Sequence, residues 1–261
     1  MSHKIKLFLT DLDDTLLTTD KQITKRTRHM FEQCKKRGIL TGFATARAEL
    51  PAKKYIDLLK PDVQILDNGG LVKIDGQTVV KSVMSAETVD GILSKLHGTK
   101  GLGDITVETE ERFYSNCRNI LELYGSDYAH GVYHDYSTPL NQASYKMTVE
   151  TENAELFYQI VSEYPECRGF GFAMEGWYCI CPKGVTKGGA VEKVAQYLKI
   201  PAAEIAAFGD DVSDLEMLQF CGYGTAMING LQKVKEAAKF VTKYDNDDDG
   251  VARFIEEHFL K

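Results

Sequence analysis

The sequence contains no apolar run that approaches the length of a membrane-spanning helix, about 18 residues. Its first residues offer only Leu7 to Leu9 as an unbroken apolar run, which is too short for a secretory signal peptide. The six cysteines include no Cys-x-x-Cys pair and the six histidines have no ligand spacing, so a zinc site is not expected. Without an export signal, the cysteines are expected to be reduced thiols of a cytoplasmic protein.

A basic excess is also missing. Lysine and arginine number 31 and aspartate and glutamate number 38, which gives a formal net charge of −7. That balance argues against general binding to nucleic acid or to an anionic membrane surface. The acidity is concentrated in residues 83–182, where 6 basic and 15 acidic residues give −9, whereas the rest of the chain, with 25 basic and 23 acidic residues, is +2.

Strand and helix patterns alternate over the first eighty residues and again after residue 183. The strands are short, almost continuously apolar runs separated by helical patterns, which is typical of a parallel sheet with both faces covered. The sequence therefore predicts an α/β fold, a Rossmann-like doubly wound parallel sheet. The predicted strands are 5–10, 39–45, 63–66, 205–208, 223–227 and 240–242, and the predicted helices are 24–37, 47–59, 187–198, 212–220, 231–239 and 250–259.

Residues 83–182 show a different pattern, with closely spaced strands and fewer helices. We expect this segment to be a second, α+β unit inserted into the first, which consists of 1–82 and 183–261. The length of 261 residues suits this division, since a typical domain has about 150 residues. The predicted strands of this unit are 104–109, 112–115, 131–136, 144–150, 168–173 and 176–181.

Three carboxylates follow the first predicted strand directly, in Asp11-Leu12-Asp13-Asp14. Carboxylates placed so closely at the end of a buried strand are costly unless a positive charge lies beside them. Asp11 and Asp13 are two residues apart, so an extended backbone would point both side chains to the same side. Magnesium, which prefers carboxylate and carbonyl oxygens, would supply the positive charge. The alternative is a solvated acidic turn.

Further polar residues stand where other predicted strands end or helices begin. Thr45 ends the second strand, where its hydroxyl and backbone amide would face the same sheet edge. Lys187 opens a helix, and the segment 209–214 carries a second acidic cluster after an apolar strand. Because ligands of open α/β sheets bind at the carboxyl ends of the strands, we expect these groups to meet at one site.

Seven motifs follow one another along the chain: DLDDTL at 11–16, FATAR at 43–47, DNGG at 67–70, TKGGAV at 186–191, FGDDVSDLEML at 208–218, GTAMING at 224–230 and DGVARFI at 249–255. Together they resemble the haloacid dehalogenase (HAD) superfamily of phosphatases, in the branch with a large type IIB α/β cap that is called Cof-type or sugar-phosphatase-like. The resemblance covers nearly the whole chain. It implies a magnesium-dependent phosphatase of small phosphorylated metabolites, in particular sugar phosphates, with a cap that sets substrate specificity.

The resemblance also implies a role for each acidic residue. Asp11 would be the nucleophile that takes the phosphoryl group as an aspartyl-phosphate, which divides one difficult displacement into two. Asp13 would protonate the leaving alcohol and then deprotonate the water that hydrolyses the intermediate. Magnesium would be held by the Asp11 carboxylate, the Asp13 main-chain carbonyl and the Asp210 carboxylate, while Asp214 would support the metal-bound waters.

A second set of groups would bind the phosphoryl oxygens, whose charge must be stabilised during transfer. The resemblance gives this role to the Thr45 side chain and the Lys187 ammonium, with the Leu12 amide as a further donor. The additional candidates from the same motifs are Ala46, Arg47 and Ser213.

Three positions depart from the family pattern. Asp14 stands where glycine is common. Ala46 replaces the usual glycine before Arg47, so the backbone there must avoid positive φ. Ser213 replaces an asparagine that helps to hold phosphate or magnesium waters, and its side chain is shorter.

Other functions fit parts of the pattern. A phosphosugar mutase of the same fold would return the phosphoryl group to a sugar, and a phosphate-binding regulatory protein would have weak turnover. For the leading hypothesis the partner is a small phosphate ester, and a monomer and a homodimer fit equally well. The acidic residues of 83–182 predict discrimination against highly anionic substrates such as bisphosphates.

The segment 245–256 fits the calcium-loop pattern D-x-D-x-D-G with glutamate at the twelfth position. Its ligands would be Asp245, Asp247, Asp249 and Glu256. The preceding residues look like a strand, whereas an EF-hand needs an entering helix there. The alternative is an acidic turn whose Asp249 caps the final helix.

Overall fold

The computed structural model describes residues 4–171 and 176–261. Within them the chain forms two compact units. The first comprises the chain up to Arg47, Lys54–Val80 and Thr186–Lys261, and the second comprises Ala48–Lys53 and Lys81–Val185. The borders expected for the core and the cap lie within three residues of this division, except that Ala48–Lys53, expected in the core, group with the second unit.

Strands and helices alternate in both units. The first part of the chain forms β1 (Leu7–Thr10), α1 (Lys25–Lys36), β2 (Leu40–Ala44), α2 (Glu49–Leu59), β3 (Val63–Leu66), β4 (Leu71–Ile74) and β5 (Gln77–Lys81). The inserted part forms α3 (Ala86–Leu96), β6 (Leu102–Glu108), β7 (Phe113–Ser115), α4 (Ile120–Tyr124), β8 (Val132–Tyr133), β9 (Lys146–Thr151), α5 (Ala154–Ser162), β10 (Cys167–Gly171) and β11 (Trp177–Pro182). The last part forms α6 (Lys187–Leu198), β12 (Ile205–Gly209), α7 (Leu215–Phe220), β13 (Tyr223–Ala226), α8 (Gln232–Ala237), β14 (Phe240–Val241) and α9 (Gly250–Phe259).

The sheet of the first unit has the strand order β14-β13-β12-β1-β2-β3-β4-β5. β1 lies between β2 and β12 and is parallel to both, with Leu7 opposite Leu40 on one side and Ile205 on the other. The predicted α/β fold with a parallel sheet is confirmed. β4, which runs antiparallel to β3, and β5 were not predicted, although the positive φ angles of Asp75 and Gly76 belong to an Asp-Gly hairpin turn that the sequence displays.

Both faces of the inner strands of this sheet are buried, which explains why these strands are apolar without alternation. Leu7 and Leu9 of β1 belong to a buried cluster that includes Val191 of α6. Phe8 points to the opposite face, where its ring lies 5.0 Å from that of Phe31 of α1. Because every β1 side chain is buried, the strand holds the following carboxylates at a fixed place on the sheet edge.

The second unit contains a six-stranded sheet in the order β10-β11-β9-β6-β7-β8. Helices α3 and α5 contribute Ile92 and Phe157 to a buried cluster with Val107 and Met147 of the sheet, which is the expected α+β arrangement. The strand predicted at 168–173 corresponds to β10, and its last two positions, 172 and 173, lie outside the described residues. None of the helices in the described part of the chain is both long and apolar enough to span a membrane.

Candidate active site

The loop after β1 is the centre of the candidate site. The Asp11 amide donates a hydrogen bond to the Phe208 carbonyl (2.9 Å), so the pairing of β1 with β12 continues up to the first carboxylate. Asp11 and Asp13 have extended ψ angles of 163° and 130°, but Leu12 between them has helical angles, so the continuously extended backbone that was expected to point both side chains to one side is not formed. Asp14 lies in the left-handed region at φ 55°. Aspartate tolerates this region better than most residues, which explains why it can replace the glycine that is common at this position. Asn229 donates to the Asp14 carbonyl (2.8 Å) and holds this turn.

Lys187, the first residue of α6, is buried between two carboxylates. Its Nζ lies 3.0 Å from Asp11 Oδ1 and 2.7 Å from Asp214 Oδ1. Burial of the ammonium opposes its charge, but the attraction of Asp11 and Asp214 outweighs that cost and raises the pKa of Lys187. The lysine is therefore charged at neutral pH, in contact with the predicted nucleophile.

The second acidic cluster follows β12 and meets the first. Thr15 donates to Asp210 Oδ1 (2.6 Å), and the amides of Asp210 and Asp211 donate to Asp214 Oδ2 (3.0 and 3.1 Å). Asp11, Asp210 and Asp214 each present a carboxylate oxygen within 4.8 Å of the others. The structure thus brings together acidic residues that are about two hundred positions apart in the chain.

The site has more negative than positive charge. Burial, with repulsion from Asp214 and Asp210, raises the pKa of Asp11 well above its ordinary value, although Lys187 opposes this. Burial and repulsion from Asp214 raise the pKa of Asp210 to about 6, against the Thr15 hydrogen bond. An oxygen-only set of ligands with uncompensated negative charge fits a magnesium ion. Asp214 already bonds through both of its oxygens, which fits a supporting role better than direct coordination.

Asp13 is held by two cations. Arg47 Nε lies 2.7 Å from Asp13 Oδ2 and Arg47 Nη2 lies 2.8 Å from Oδ1, while Lys21 Nζ is 3.1 Å from Oδ1. Burial alone would raise the pKa of Asp13, but Arg47 and Lys21 lower it to about 2. Arg47, expected as a phosphate ligand, therefore lies on the predicted general acid and base.

Thr45 lies directly after β2 and is buried. The expectation that its backbone amide faces the sheet edge is wrong, because that amide donates to the Ile65 carbonyl (2.9 Å) and continues the pairing with β3. The hydroxyl accepts a hydrogen bond from the Arg47 amide (3.1 Å) and can still donate. Ala46 does not have a positive φ angle, as expected for an alanine at a position where the family usually has glycine.

The two remaining phosphate-site candidates differ in exposure. The Leu12 side chain is completely buried and anchors the loop. Its backbone amide, which follows Asp11 in the chain, stays a predicted donor to the phosphoryl group. Ser213 is exposed, in the short turn Val212–Asp214 between β12 and α7.

Sequence reasoning missed three residues of the site. Thr15 and Asn229 lie within the DLDDTL and GTAMING motifs, which served only as signs of family resemblance. Lys21 belongs to no motif, and nothing in the sequence indicated that its side chain reaches back to Asp13 and Asp14.

The segment 245–256 does not form a calcium loop. Asp247 accepts hydrogen bonds from the amide and hydroxyl of Thr19 (2.7 and 2.8 Å), and Glu256 pairs with Arg26 (2.6 Å). Asp249 occupies the N-cap position of α9, but its side chain makes no capping bond there and instead accepts from Thr24 (2.5 Å). The prediction that the Asp249 side chain caps α9 is therefore wrong. Asp249 has φ 59°, and its side chain accepts a hydrogen bond from Thr24, near the start of α1.

Comparison with known proteins places these features in context. The sequence profile of the haloacid dehalogenase-like hydrolases matches residues 8–255. The 5-amino-6-(5-phospho-D-ribitylamino)uracil phosphatase YitU of Bacillus subtilis (strain 168) is 28% identical over 286 residues, with 99% of each chain covered. A protein of Geobacillus kaustophilus HTA426 without a described function has a similar structure, with a TM-score of 0.85, 25% identity and coverage of 98% of this chain and 100% of that one. The subclass IIB sugar phosphatase BT4131 gives a TM-score of 0.81 at 22% identity, with 98% and 100% covered.

Proposed function

The chain belongs to the haloacid dehalogenase-like hydrolases and is a phosphatase of small phosphate esters, and from this premise we propose that it is magnesium-dependent and acts through an aspartyl-phosphate on phosphorylated sugars or sugar-like metabolites. The observation that carries the proposal is the buried contact of Lys187 with Asp11, beside Asp210 and Asp214.

Asp11 is proposed as the nucleophile. It is buried, follows a rigid strand, and has a lysine ammonium 3.0 Å from one carboxylate oxygen. Lys187 would stabilise the negative charge of an incoming phosphoryl group and so reduce its repulsion by the carboxylate. The Thr45 hydroxyl and the Leu12 amide would hold the other phosphoryl oxygens.

Asp13 is proposed as the general acid and then the general base. Protonated Asp13 would give its proton to the leaving alcohol, and the resulting carboxylate would take a proton from the water that attacks the aspartyl-phosphate. Arg47 and Lys21 hold Asp13 ionised in the free protein, which is the form the second step needs. The first step therefore requires that Asp13 release the guanidinium and take up a proton when the ester binds, so that this proton can pass to the leaving alcohol.

Magnesium would be held by the Asp11 carboxylate, the Asp13 carbonyl and the Asp210 carboxylate, with Asp214 supporting it from behind. The ion would supply positive charge against the phosphoryl oxygens. The buried carboxylates with raised pKa values support this assignment, because a cation relieves the repulsion that raises them.

The substrate class is proposed from two relatives and from the second unit. The name of YitU describes a phosphorylated ribityl compound, and that of BT4131 a sugar phosphatase. In both cases the phosphate is carried by a polyol or sugar. The inserted unit is proposed to select the substrate as a cap.

The test is hydrolysis of a panel of sugar and polyol phosphates by the full chain, measured as phosphate release with magnesium and with a chelator. Activity should require magnesium and should be lost in Asp11→Asn. Asp14→Asn is the matched control, because Asp14 is exposed and its φ of 55° also suits asparagine. Turnover by Asp11→Asn would refute the nucleophile, and phosphate exchange between sugar positions without release would indicate a mutase.

A further inference from the structure

The turn between β3 and β4 has an unusual backbone. Asp67, Asn68 and Gly69 have consecutive positive φ angles of 50°, 55° and 102°. Asp67 and Asn68 are also buried, with 2% and 7% exposure. Aspartate and asparagine tolerate single left-handed angles, but three consecutive positive φ angles are uncommon and are favoured by contacts with the neighbouring segments.

One side of the turn holds the residues that follow β2. The Asn68 amide donates to the Thr45 carbonyl (3.0 Å), and the Asp67 amide donates to the Arg47 carbonyl (3.0 Å). Both bonds reach the short segment that carries the Thr45 hydroxyl and the Arg47 guanidinium. The left-handed backbone of Asp67 and Asn68 turns both amides toward that segment.

The other side of the turn lies against the start of α6. A Cβ atom at Gly69 would be 2.5 Å from the Thr186 carbonyl oxygen and 2.9 Å from Ala190 Cβ. Thr186 is the N-cap of α6, where its hydroxyl accepts from the Gly189 amide and its carbonyl from the Ala190 amide. The next residue is Lys187, so the contact with Gly69 fixes the backbone from which the lysine extends.

We propose that the turn Asp67–Gly70 is a positioning element that sets the separation between the Thr45 hydroxyl and the Lys187 ammonium. The turn reaches both segments through their main-chain atoms, the Thr45 and Arg47 carbonyls on one side and the Thr186 carbonyl on the other. It would therefore act on phosphate binding through Thr45 and Lys187, in a reaction whose rate depends on the placement of charged groups. This inference rests on the proposed phosphate-binding role of those two residues.

The test compares Gly69→Ala with Gly76→Ala in the full chain. Both glycines have positive φ, but a Cβ atom at Gly76 meets nothing within 4 Å, so the control carries the backbone strain without the displacement of α6. We expect Gly69→Ala to raise the dissociation constant of inorganic phosphate roughly tenfold to a hundredfold, with a parallel fall in kcat/KM. The magnesium dissociation constant should change less than that of phosphate, because the turn acts on the proposed ligand Asp11 through Lys187, whereas the ammonium itself is the proposed phosphate ligand. Gly76→Ala should keep both constants.

A phosphate affinity of Gly69→Ala equal to that of the wild type would overturn the proposal, as would an equal weakening of phosphate and magnesium binding. If Gly69→Ala does not fold, Asn68→Gly serves instead, since it relaxes the turn without adding an atom. It should weaken phosphate binding more than magnesium binding, and wild-type phosphate affinity in this variant would equally overturn the proposal. A protein that binds phosphate but hydrolyses no ester would refute the proposed function, whereas the phosphate affinities of the variants would still decide the positioning role.

Discussion

Arg47 binds both carboxylate oxygens of Asp13, with Nε 2.7 Å from Oδ2 and Nη2 2.8 Å from Oδ1. The two residues follow the adjacent parallel strands β2 and β1, so the pair joins two loops at the same sheet edge. A bidentate pair of this kind fixes the orientation of the carboxylate as well as its charge. Asp13 is therefore held in one orientation and ionised at neutral pH, as its pKa of about 2 requires.

Arg47→Gln should reduce kcat and shift the acid side of the pH profile. Without the guanidinium, burial raises the pKa of Asp13, so the carboxylate that serves as base is lost at a higher pH than in the wild type. The loss of orientation should lower kcat about tenfold or more. The measurement is kcat and kcat/KM against pH, with Arg28→Gln, an exposed change on α1, as the control. An unchanged acid limb would contradict the positioning of Asp13 by Arg47.

Lys187→Met should destabilise the protein by about 3–5 kcal/mol at neutral pH, because it leaves Asp11 and Asp214 buried without their cation. Losing the cation raises the pKa of Asp11 further in the folded state, because Lys187 is the group that lowers it. A raised carboxyl pKa costs stability as the pH rises, so the difference from the wild type should be larger at pH 8 than near pH 5. Urea unfolding at both pH values measures it, with Lys193→Met, an exposed change on the same helix, as the control. A deficit that does not grow with pH would refute this electrostatic account.

Magnesium should stabilise the protein more as the pH rises through 6. The pKa of Asp210 lies near 6 in the folded protein against an ordinary value of 3.8, so the metal-free protein loses stability as the pH rises between these values. A bound cation removes this cost and competes with the proton for the same oxygen. The rise in Tm on adding magnesium should therefore be larger near pH 7.5 than near pH 5. Asp210→Asn should abolish most of the rise, whereas Asp20→Asn, at an exposed turn position, should retain it.

The sequence predicted the parts of the site that depend on strand ends. Asp11, Thr45 and Asp210 each follow an apolar strand, and parallel pairing brings such ends to one edge whatever the loops do. The partners of Asp13 could not be predicted in this way. Its contacts depend on the rotamers of Arg47 and Lys21, and the reach of a long side chain leaves no periodic pattern in the sequence.

The sequence patterns also did not predict the backbone hydrogen bonds and φ angles of the site. The amide of Thr45 was expected to face a ligand, but the strand pairing extends one residue further than the apolar run and engages it with Ile65. Asp67 and Asn68 are residue types that tolerate left-handed angles, but the sequence did not predict two such angles in succession, which turn both amides toward the carbonyls of Arg47 and Thr45.

Calcium should act only through the magnesium ligands. The carboxylates of Asp247 and Glu256 are bonded to Thr19 and Arg26, on the part of the chain around α1, and do not converge on a common point. Any rise in Tm caused by excess calcium should therefore disappear in Asp210→Asn and persist in Asp247→Asn. Loss of the effect in Asp247→Asn alone would instead establish a calcium site in 245–256.

A sugar monophosphate should be hydrolysed faster than the corresponding bisphosphate. Residues 83–182 carry a net charge of −9, and several of the contributing side chains, among them Glu111, Glu122 and Glu152, are exposed. A second phosphate would be repelled by this unit, whereas the transferred phosphate is drawn to Lys187. Because charges farther apart than about 8 Å are screened at physiological salt, the preference should shrink as ionic strength rises.

Steady-state kinetics at low and high salt measure the ratio of kcat/KM for the monophosphate to kcat/KM for the bisphosphate. The double variant Glu111→Gln, Glu122→Gln should bring this ratio closer to one at low salt. Faster turnover of the bisphosphate at low salt would show that the acidity of this unit does not select against anionic substrates.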